Sequence, residues 1–306
     1  MMPAQWTGKT DGKEWMLRVL IFFLRWTDLR IFYLLMGCVV PFYMLFVHKG
    51  YIAAYRYFRR QFACPPLKAF GKVYANHFVF GQIILDRFAV YAGKRFDLTI
   101  EGNDAFTELA ARPEGFVMLS SHTGNFELAG YSLIARGKRF YSLVFPHEKE
   151  TVMANRNQLF EQNNIVMVPV SEDMSHLFIL NDALCNGNIV TMPGDRIFGS
   201  QKGVECRFLQ GNARFPLGPF AVAVQRDVPL LSVFVMKEST RRYRLFVSPI
   251  RLPRAAQQAG NKEKMAMLAQ SFADEMERVV RKYPTQWFNY YDFWERGTET
   301  APEPIK

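Results

Sequence analysis

The chain has 306 residues, of which 49% are hydrophobic and 28 are phenylalanine. That composition supports a full core and excludes a largely disordered chain. The net charge of +10 favours anionic partners, namely nucleic acid, anionic lipid headgroups or an acidic carrier protein. Nucleic acid is set aside, because the sequence has no zinc-finger spacing and no long basic run.

The apolar run Ile31 to Val47 carries no charge and follows a second apolar patch, Val19 to Leu24. It comes too late for a cleavable signal peptide and lacks a small-residue cleavage site behind it. Its length is at the short edge for a spanning helix, and Pro41 should bend it. Arg18, Arg25 and Arg30 precede it, and Lys49, Arg56, Arg59 and Arg60 follow, so the flanking charges set no orientation. A full span and a helix lying in the membrane plane both fit, with a buried core helix as the alternative. Residues 1–62 therefore read as a membrane-anchoring helical segment. Residues 63–306 read as one globular domain, beginning at the break Cys64-Pro65-Pro66.

Apolar spacing predicts a helix over 67–92. From residue 97 strands and helices alternate. Short strands are expected at 97–100, 116–120, 141–145, 165–170 and 188–192. Helices are expected at 125–136, 151–162 and from an N-cap at Ser171 to Cys185. A helix at 217–225 precedes a strand at 230–236, which pairs across a turn with 242–247. A long helix follows over 262–282. This pattern predicts an α/β fold, a mixed sheet covered by helices. In such sheets chemistry gathers where strands end, which is where His122, Asp195 and Arg196 fall.

The sequence Ser-Ser-His122-Thr-Gly-Asn-Phe-Glu127 follows the expected strand 116–120. With Asn125 as N-cap, Glu127 lies in the first helical turn and is expected to reach back to the imidazole. A carboxylate on one ring nitrogen fixes the tautomer, and the other nitrogen then removes a proton. Without further motifs, a structural histidine capping a turn is an equal reading. Asp195 and Arg196 read either as parts of a site or as a local ion pair. Arg196 suits an oxyanion or an anionic substrate group. The segment Phe208 to Pro219, with Gly211, Arg214 and Pro216, reads either as a shaped wall for substrate or as a turn-rich connection. No Gly-x-Ser-x-Gly elbow surrounds Ser120 or Ser121, so no acyl-enzyme is expected. Cys38, Cys64, Cys185 and Cys206 form no CxxC pair, match no metal site and read as reduced thiols.

The His122 segment resembles the His-x4-Asp/Glu block of the glycerolipid and lipid A acyltransferases. Three later segments resemble the late lipid A acyltransferase branch in order and spacing. They are Met192-Pro-Gly-Asp195-Arg196, the stretch Phe208 to Pro219, and Tyr283-Pro-Thr-Gln-Trp-Phe288. Many relatives have Gln where this chain has Arg196, and basic residues where it has Asp292 and Glu295.

The resemblance implies a glycerolipid acyltransferase-like fold, with 63–306 as catalytic domain, and an enzyme at the bacterial inner membrane facing the cytoplasm. It would move an acyl group from acyl carrier protein or coenzyme A to a hydroxyl of a lipid acceptor, without metal or bound organic cofactor. His122 would be the general base and Glu127 its partner, with Asn125, Asp195, Arg196, Gly211, Arg214 and Pro216 at the substrate. The same chemistry on an amino-acid lipid, a polyene pigment or a glycolipid is the alternative. A non-catalytic basic membrane-surface protein is the third reading.

Overall fold

A computed structural model describes residues 14–46, 48–144, 164–171, 173–197, 202–253, 256 and 258–294. The helix expected over 151–162 lies outside the described residues, as does Glu295.

Four helices lead: α1 (Glu14–Trp26), α2 (Leu29–Phe46), α3 (His48–Gln61) and α4 (Pro66–Tyr91). Then come β1 (Asp97–Glu101), α5 (Asn103–Ala111), β2 (Phe116–Ser120), α6 (Glu127–Ser132), β3 (Phe140–Val144), β4 (Ile165–Pro169), α7 (Ser175–Cys185) and β5 (Ile189–Pro193). A hairpin of β6 (Gly203–Phe208) and β7 (Gly211–Pro216) precedes α8 (Gly218–Arg226), β8 (Leu230–Lys237), β9 (Arg242–Ile250) and α9 (Asn261–Lys282). A 3-10 turn at Pro284–Gln286 leads into the C-terminal aromatic segment.

The main sheet has seven strands in the order β1-β9-β8-β2-β5-β3-β4. β2, β3, β4, β5 and β8 run parallel, whereas β9 is antiparallel to β8 and carries β1 beside it. The sheet is mixed, as the alternating pattern predicts. Central strands must be apolar on both faces, and β8 is buried at every position. Along it, Leu230, Phe234 and Met236 enter one core, and Leu231, Val233 and Val235 the other. β2 divides its side chains in the same way.

Two expected caps are not formed. Helix α6 starts at Glu127 behind Phe126, and the Asn125 N–H instead bonds the Val235 carbonyl at 2.8 Å. Helix α7 starts behind Met174, a residue in the left-handed region, and not at Ser171. The hairpin β6–β7 and helix α5 were not foreseen.

Pro41 lies inside α2, and that helix remains one element. Proline has no N–H for the carbonyl four residues back, here that of Gly37. The Tyr74 hydroxyl from α4 donates to that carbonyl at 3.0 Å and replaces the missing bond. Tyr74→Phe is expected to cost about 1 kcal/mol. Denaturant titration checks this, and unchanged stability would show that the carbonyl needs no partner from α4.

Helix α2 is, among the described residues, the one helix long and apolar enough to cross a membrane, with a mean hydropathy of 1.9. Leu29, Tyr33, Val40 and Met44 are buried, while Leu34, Leu35, Phe42 and Phe46 stand out on other faces. Helix α1 likewise exposes Trp15, Phe22, Phe23 and Trp26. Helix α3 differs from both. Its Ala54, Tyr57 and Phe58 belong to the main core, and the Tyr57 hydroxyl donates to the Pro284 carbonyl at 3.1 Å.

Candidate active site

The site lies at the carboxyl ends of β2 and β5, central strands where the chain departs to either side of the sheet. Strand register builds it. β2 and β5 are parallel neighbours with Ser120 opposite Pro193, and the Gly194 N–H bonds the Ser120 carbonyl at 2.8 Å. His122 and Asp195 each lie two residues beyond that last pair, so the two chains deliver them to the same place.

Nδ1 of His122 is 2.8 Å from Oδ1 of Asp195. The His122 backbone N–H donates to Oδ2 at 2.9 Å. Asp195 is 1% exposed, whereas the imidazole keeps 24% of its surface accessible, an approach for a reactant. Burial holds the imidazole below the ordinary histidine range, and the charge of Arg196 acts the same way while Asp195 opposes both. For Asp195, burial works to raise the carboxyl, but His122 and Arg196 outweigh it and hold it below the usual range. A carboxylate accepting from Nδ1–H leaves the Nε2 lone pair free as a base, neutral at physiological pH.

Glu127 is placed differently from the sequence expectation. Its carboxylate is paired with the Arg87 guanidinium of α4 and accepts from the Tyr91 hydroxyl at 3.3 Å. The partner of Nδ1 is Asp195, and the intervening turn explains why. Gly124 has φ +50°, and a Cβ there would lie 1.9 Å from the Val235 carbonyl oxygen. The chain crosses tightly over β8 before α6 begins, and Glu127 ties α6 to α4.

Phe126, 42% exposed, sets its ring 6.2 Å from the imidazole and 6.0 Å from the Arg87 guanidinium carbon. It forms an apolar flank to the site. Neither Arg87 nor Phe126 was singled out by the sequence. Both become visible only once α4 and α6 are seen packed together.

The segment 283–288 encloses the motif from the other side. The Gln286 carbonyl accepts from the Gly124 N–H at 2.7 Å, and the Phe288 N–H donates to the His122 carbonyl at 2.9 Å. The Gln286 side chain bonds both the N–H and the carbonyl of Lys237, at 2.8 and 2.7 Å. Asn76 of α4 donates to the Thr285 and Trp287 carbonyls, each at 3.0 Å. Arg196 turns toward this segment, donating to the Phe288 carbonyl at 2.9 Å with its guanidinium carbon 5.9 Å from the Tyr291 ring centre.

Gly211, Arg214 and Pro216 lie on β7. Gly211 faces Trp294, with a Cβ there coming within 3.0 Å of that ring; Arg214 is exposed and Pro216 buried. The hairpin carries Phe208 and Phe215 into an aromatic cluster with Trp287, Phe293 and Trp294. Thus the structure joins His122 to Asp195, brings the charge of Arg196 to bear on both from its place against the C-terminal segment, and packs Gly211 and Pro216 of β7 inward while Arg214 points outward. Of the potential nucleophiles, Ser121 is buried on Thr123 at 2.8 Å, and burial pushes the Cys206 thiol up to about 12. Neither is an activated nucleophile.

A histidine held by a buried carboxylate thus lies at the strand ends of a mixed α/β sheet, an arrangement chemically able to take a proton from a hydroxyl. The chain belongs to the bacterial lipid A biosynthesis acyltransferase family, whose model matches residues 85–295, and it is an acyltransferase. It is 24% identical over 232 residues to a phosphatidylinositol mannoside acyltransferase of Mycobacterium tuberculosis H37Rv, covering 76% of this chain and 69% of that protein. The corresponding protein of the CDC 1551 strain is 23% identical over the same length. Among solved structures, it is similar to the 1-acyl-sn-glycerophosphate acyltransferase PlsC of Thermotoga maritima. That match has 15% identity and a TM-score of 0.39, over 85% of this chain and 99% of the other.

Proposed function

We propose that this acyltransferase works at a membrane surface and moves a fatty acyl group from a thioester, on acyl carrier protein or coenzyme A, to a sugar hydroxyl of an anionic membrane lipid. The His122–Asp195 pair carries this reading. Nε2 of His122 takes the proton of the acceptor hydroxyl as its oxygen attacks the thioester carbonyl carbon. The C–S bond then breaks, and the leaving thiolate takes the proton back from Nε2. The thioester is already activated, so a covalent acyl-enzyme would gain little. Phe126 offers an apolar side to the acyl chain. Arg196 lends positive charge beside the developing oxyanion or an anionic acceptor.

The names of the relatives support this acceptor class. Lipid A and phosphatidylinositol mannosides, the names carried by the family and by the mycobacterial proteins, share sugar hydroxyls on anionic lipids. The lipid A precursor type is the leading acceptor. Membrane contact is supported by the exposed apolar faces of α1 and α2. Tyr33 of α2 reaches the buried Asp86, so one side of α2 is held on the protein. A helix anchored in this way suits lying in the membrane plane, with Arg25 and Arg30 exposed to anionic headgroups. We place the protein at the bacterial inner membrane with its site open to the cytoplasm, and residues 1–62 as the segment that meets the membrane.

The test is thiol release from an acyl thioester by the full chain on anionic vesicles, with and without a lipid A precursor or a phosphatidylinositol mannoside. Release should depend on acceptor, and mass spectrometry should find the acyl group as an ester on the sugar. Incubation with donor alone should add no acyl mass to the protein. A stable protein adduct that acceptor discharges would overturn the direct mechanism. Acylation of neither glycolipid class would overturn the acceptor reading.

A further inference from the structure

The Asp195 carboxylate has one donor more than a histidine pair requires. Oδ1 faces Nδ1 of His122, and Oδ2 accepts from the His122 backbone N–H. Oδ2 also accepts from the indole Nε1–H of Trp287 at 3.3 Å. Trp287 comes from the far end of the chain and is 2% exposed. Its ring packs against Tyr57, Phe208, Phe293 and Trp294, with centroids 5.0 to 5.6 Å away. Its backbone bridges Thr123, next to the base, and its carbonyl is held by Asn76. These contacts hold the indole with its N–H toward Asp195.

We infer that Trp287 is a positioning residue for His122: its indole N–H occupies Oδ2 of Asp195, leaves Oδ1 to Nδ1–H, and so keeps Nε2 as the proton-accepting nitrogen. The inference rests on the reading of His122 as general base. The chemistry of indole suits the task. It donates and never accepts, and it does not titrate in the working range. Asp195 meets it at Oδ2 as an acceptor, and a donor there favours the ionised carboxylate, whose Oδ1 is then left to accept from Nδ1–H. The smaller phenyl ring would keep an aromatic side chain in the cluster but leave Oδ2 with one donor fewer. Among the described residues, the other charged or titratable groups facing the pair are Arg196 and Tyr291, and, across Phe126, Glu127 with Arg87. None of these bonds replaces the indole at Oδ2.

The experiment compares the full-length protein with Trp287→Phe and with Trp287 replaced by benzothienylalanine, which has the shape of tryptophan with sulfur in place of N–H. Histidine-labelled protein is titrated by NMR, with the His122 resonance assigned by its loss in His122→Gln. Removing a donor from the carboxylate concentrates its charge and favours the imidazolium. The His122 midpoint should rise by about 0.5–1 unit in both variants. The acid limb of the kcat/KM profile should move with it, and kcat should fall about 10-fold with KM for the donor little changed. If Trp287→Phe does not fold, the isosteric variant alone decides. An unmoved midpoint, whatever happens to turnover, would reduce Trp287 to packing and overturn the inference. Full activity of His122→Ala alongside a moved midpoint would instead remove the general-base reading and leave the Trp287–Asp195 coupling standing.

Discussion

His122→Ala is expected to lower acceptor-dependent turnover by about 10²–10⁴, the usual contribution of a positioned general base. Asp195→Asn should approach the same loss for a different reason. An amide can turn its NH2 toward Nδ1, which stabilises the tautomer protonated on Nε2, and that form has no lone pair for the acceptor proton. Glu127→Gln separates the two carboxylates. Its group holds Arg87 and Tyr91, so the change should reduce stability by about 1–3 kcal/mol and leave turnover within about 10-fold. Steady-state rates at saturating donor, beside denaturant melts of each variant, make the comparison. If Glu127→Gln loses as much turnover as Asp195→Asn with stability intact, Glu127 is the partner of the base. The base must also be neutral to work. With His122 held below the ordinary histidine range, activity should persist at neutral pH and fall only as pH drops below that range.

Lys237→Met is expected to destabilise the protein by about 3–5 kcal/mol. Lys237 is 6% exposed and lies at the end of β8, its ammonium 2.5 Å from the carboxylate of Asp86, which is fully buried. The Tyr33 and Tyr243 hydroxyls also donate to Asp86. Burial pushes the Asp86 carboxyl up and the Lys237 ammonium down, and their attraction opposes both shifts. Losing the cation leaves a buried carboxylate with hydroxyl donors alone. The double change Lys237→Met with Asp86→Leu should recover much of the loss, because an apolar pair carries no desolvation cost. Urea titration of the single and double variants reads this. A single-variant loss under about 1 kcal/mol would show that water reaches the pair. Activity should decline with stability, since the Lys237 backbone holds Gln286, and Gln286 holds Gly124 two residues past His122.

Local pattern alone placed most elements. The 3.6-residue spacing of α4 and α9, and the short apolar runs of β2, β5 and β8, are properties of neighbouring residues, so they can be read along the chain. The composition of the α2 run marked a long apolar helix, and the position of His122 after a strand put it at a sheet edge. Caps were less legible. Asn125 and Ser171 are good N-cap residues, yet tertiary bonds to Val235 in one case, and a left-handed Met174 in the other, set the helix starts. The hairpin β6–β7 was read as a wall or a turn-rich connection, because its stability comes from Trp294 and α9, which are distant in sequence.

The carboxylate partner of the His122 imidazole was decided by tertiary structure alone. Glu127 is close to His122 along the chain, and a carboxylate in the next helical turn was the natural expectation. The Gly124 crossing over β8 turns that helix toward α4, where Arg87 takes the charge. Asp195 is brought in by the pairing of β2 with β5, two strands with α6, β3, β4 and α7 between them in sequence. Trp287 arrives from the other end of the domain. Sequence by itself thus determined the order of most elements, the apolar helix near the N-terminus and a histidine at a strand end, because each depends on residue type and local spacing. Strand register and chain crossing determined which groups surround that histidine, because those contacts exist only once distant segments have packed.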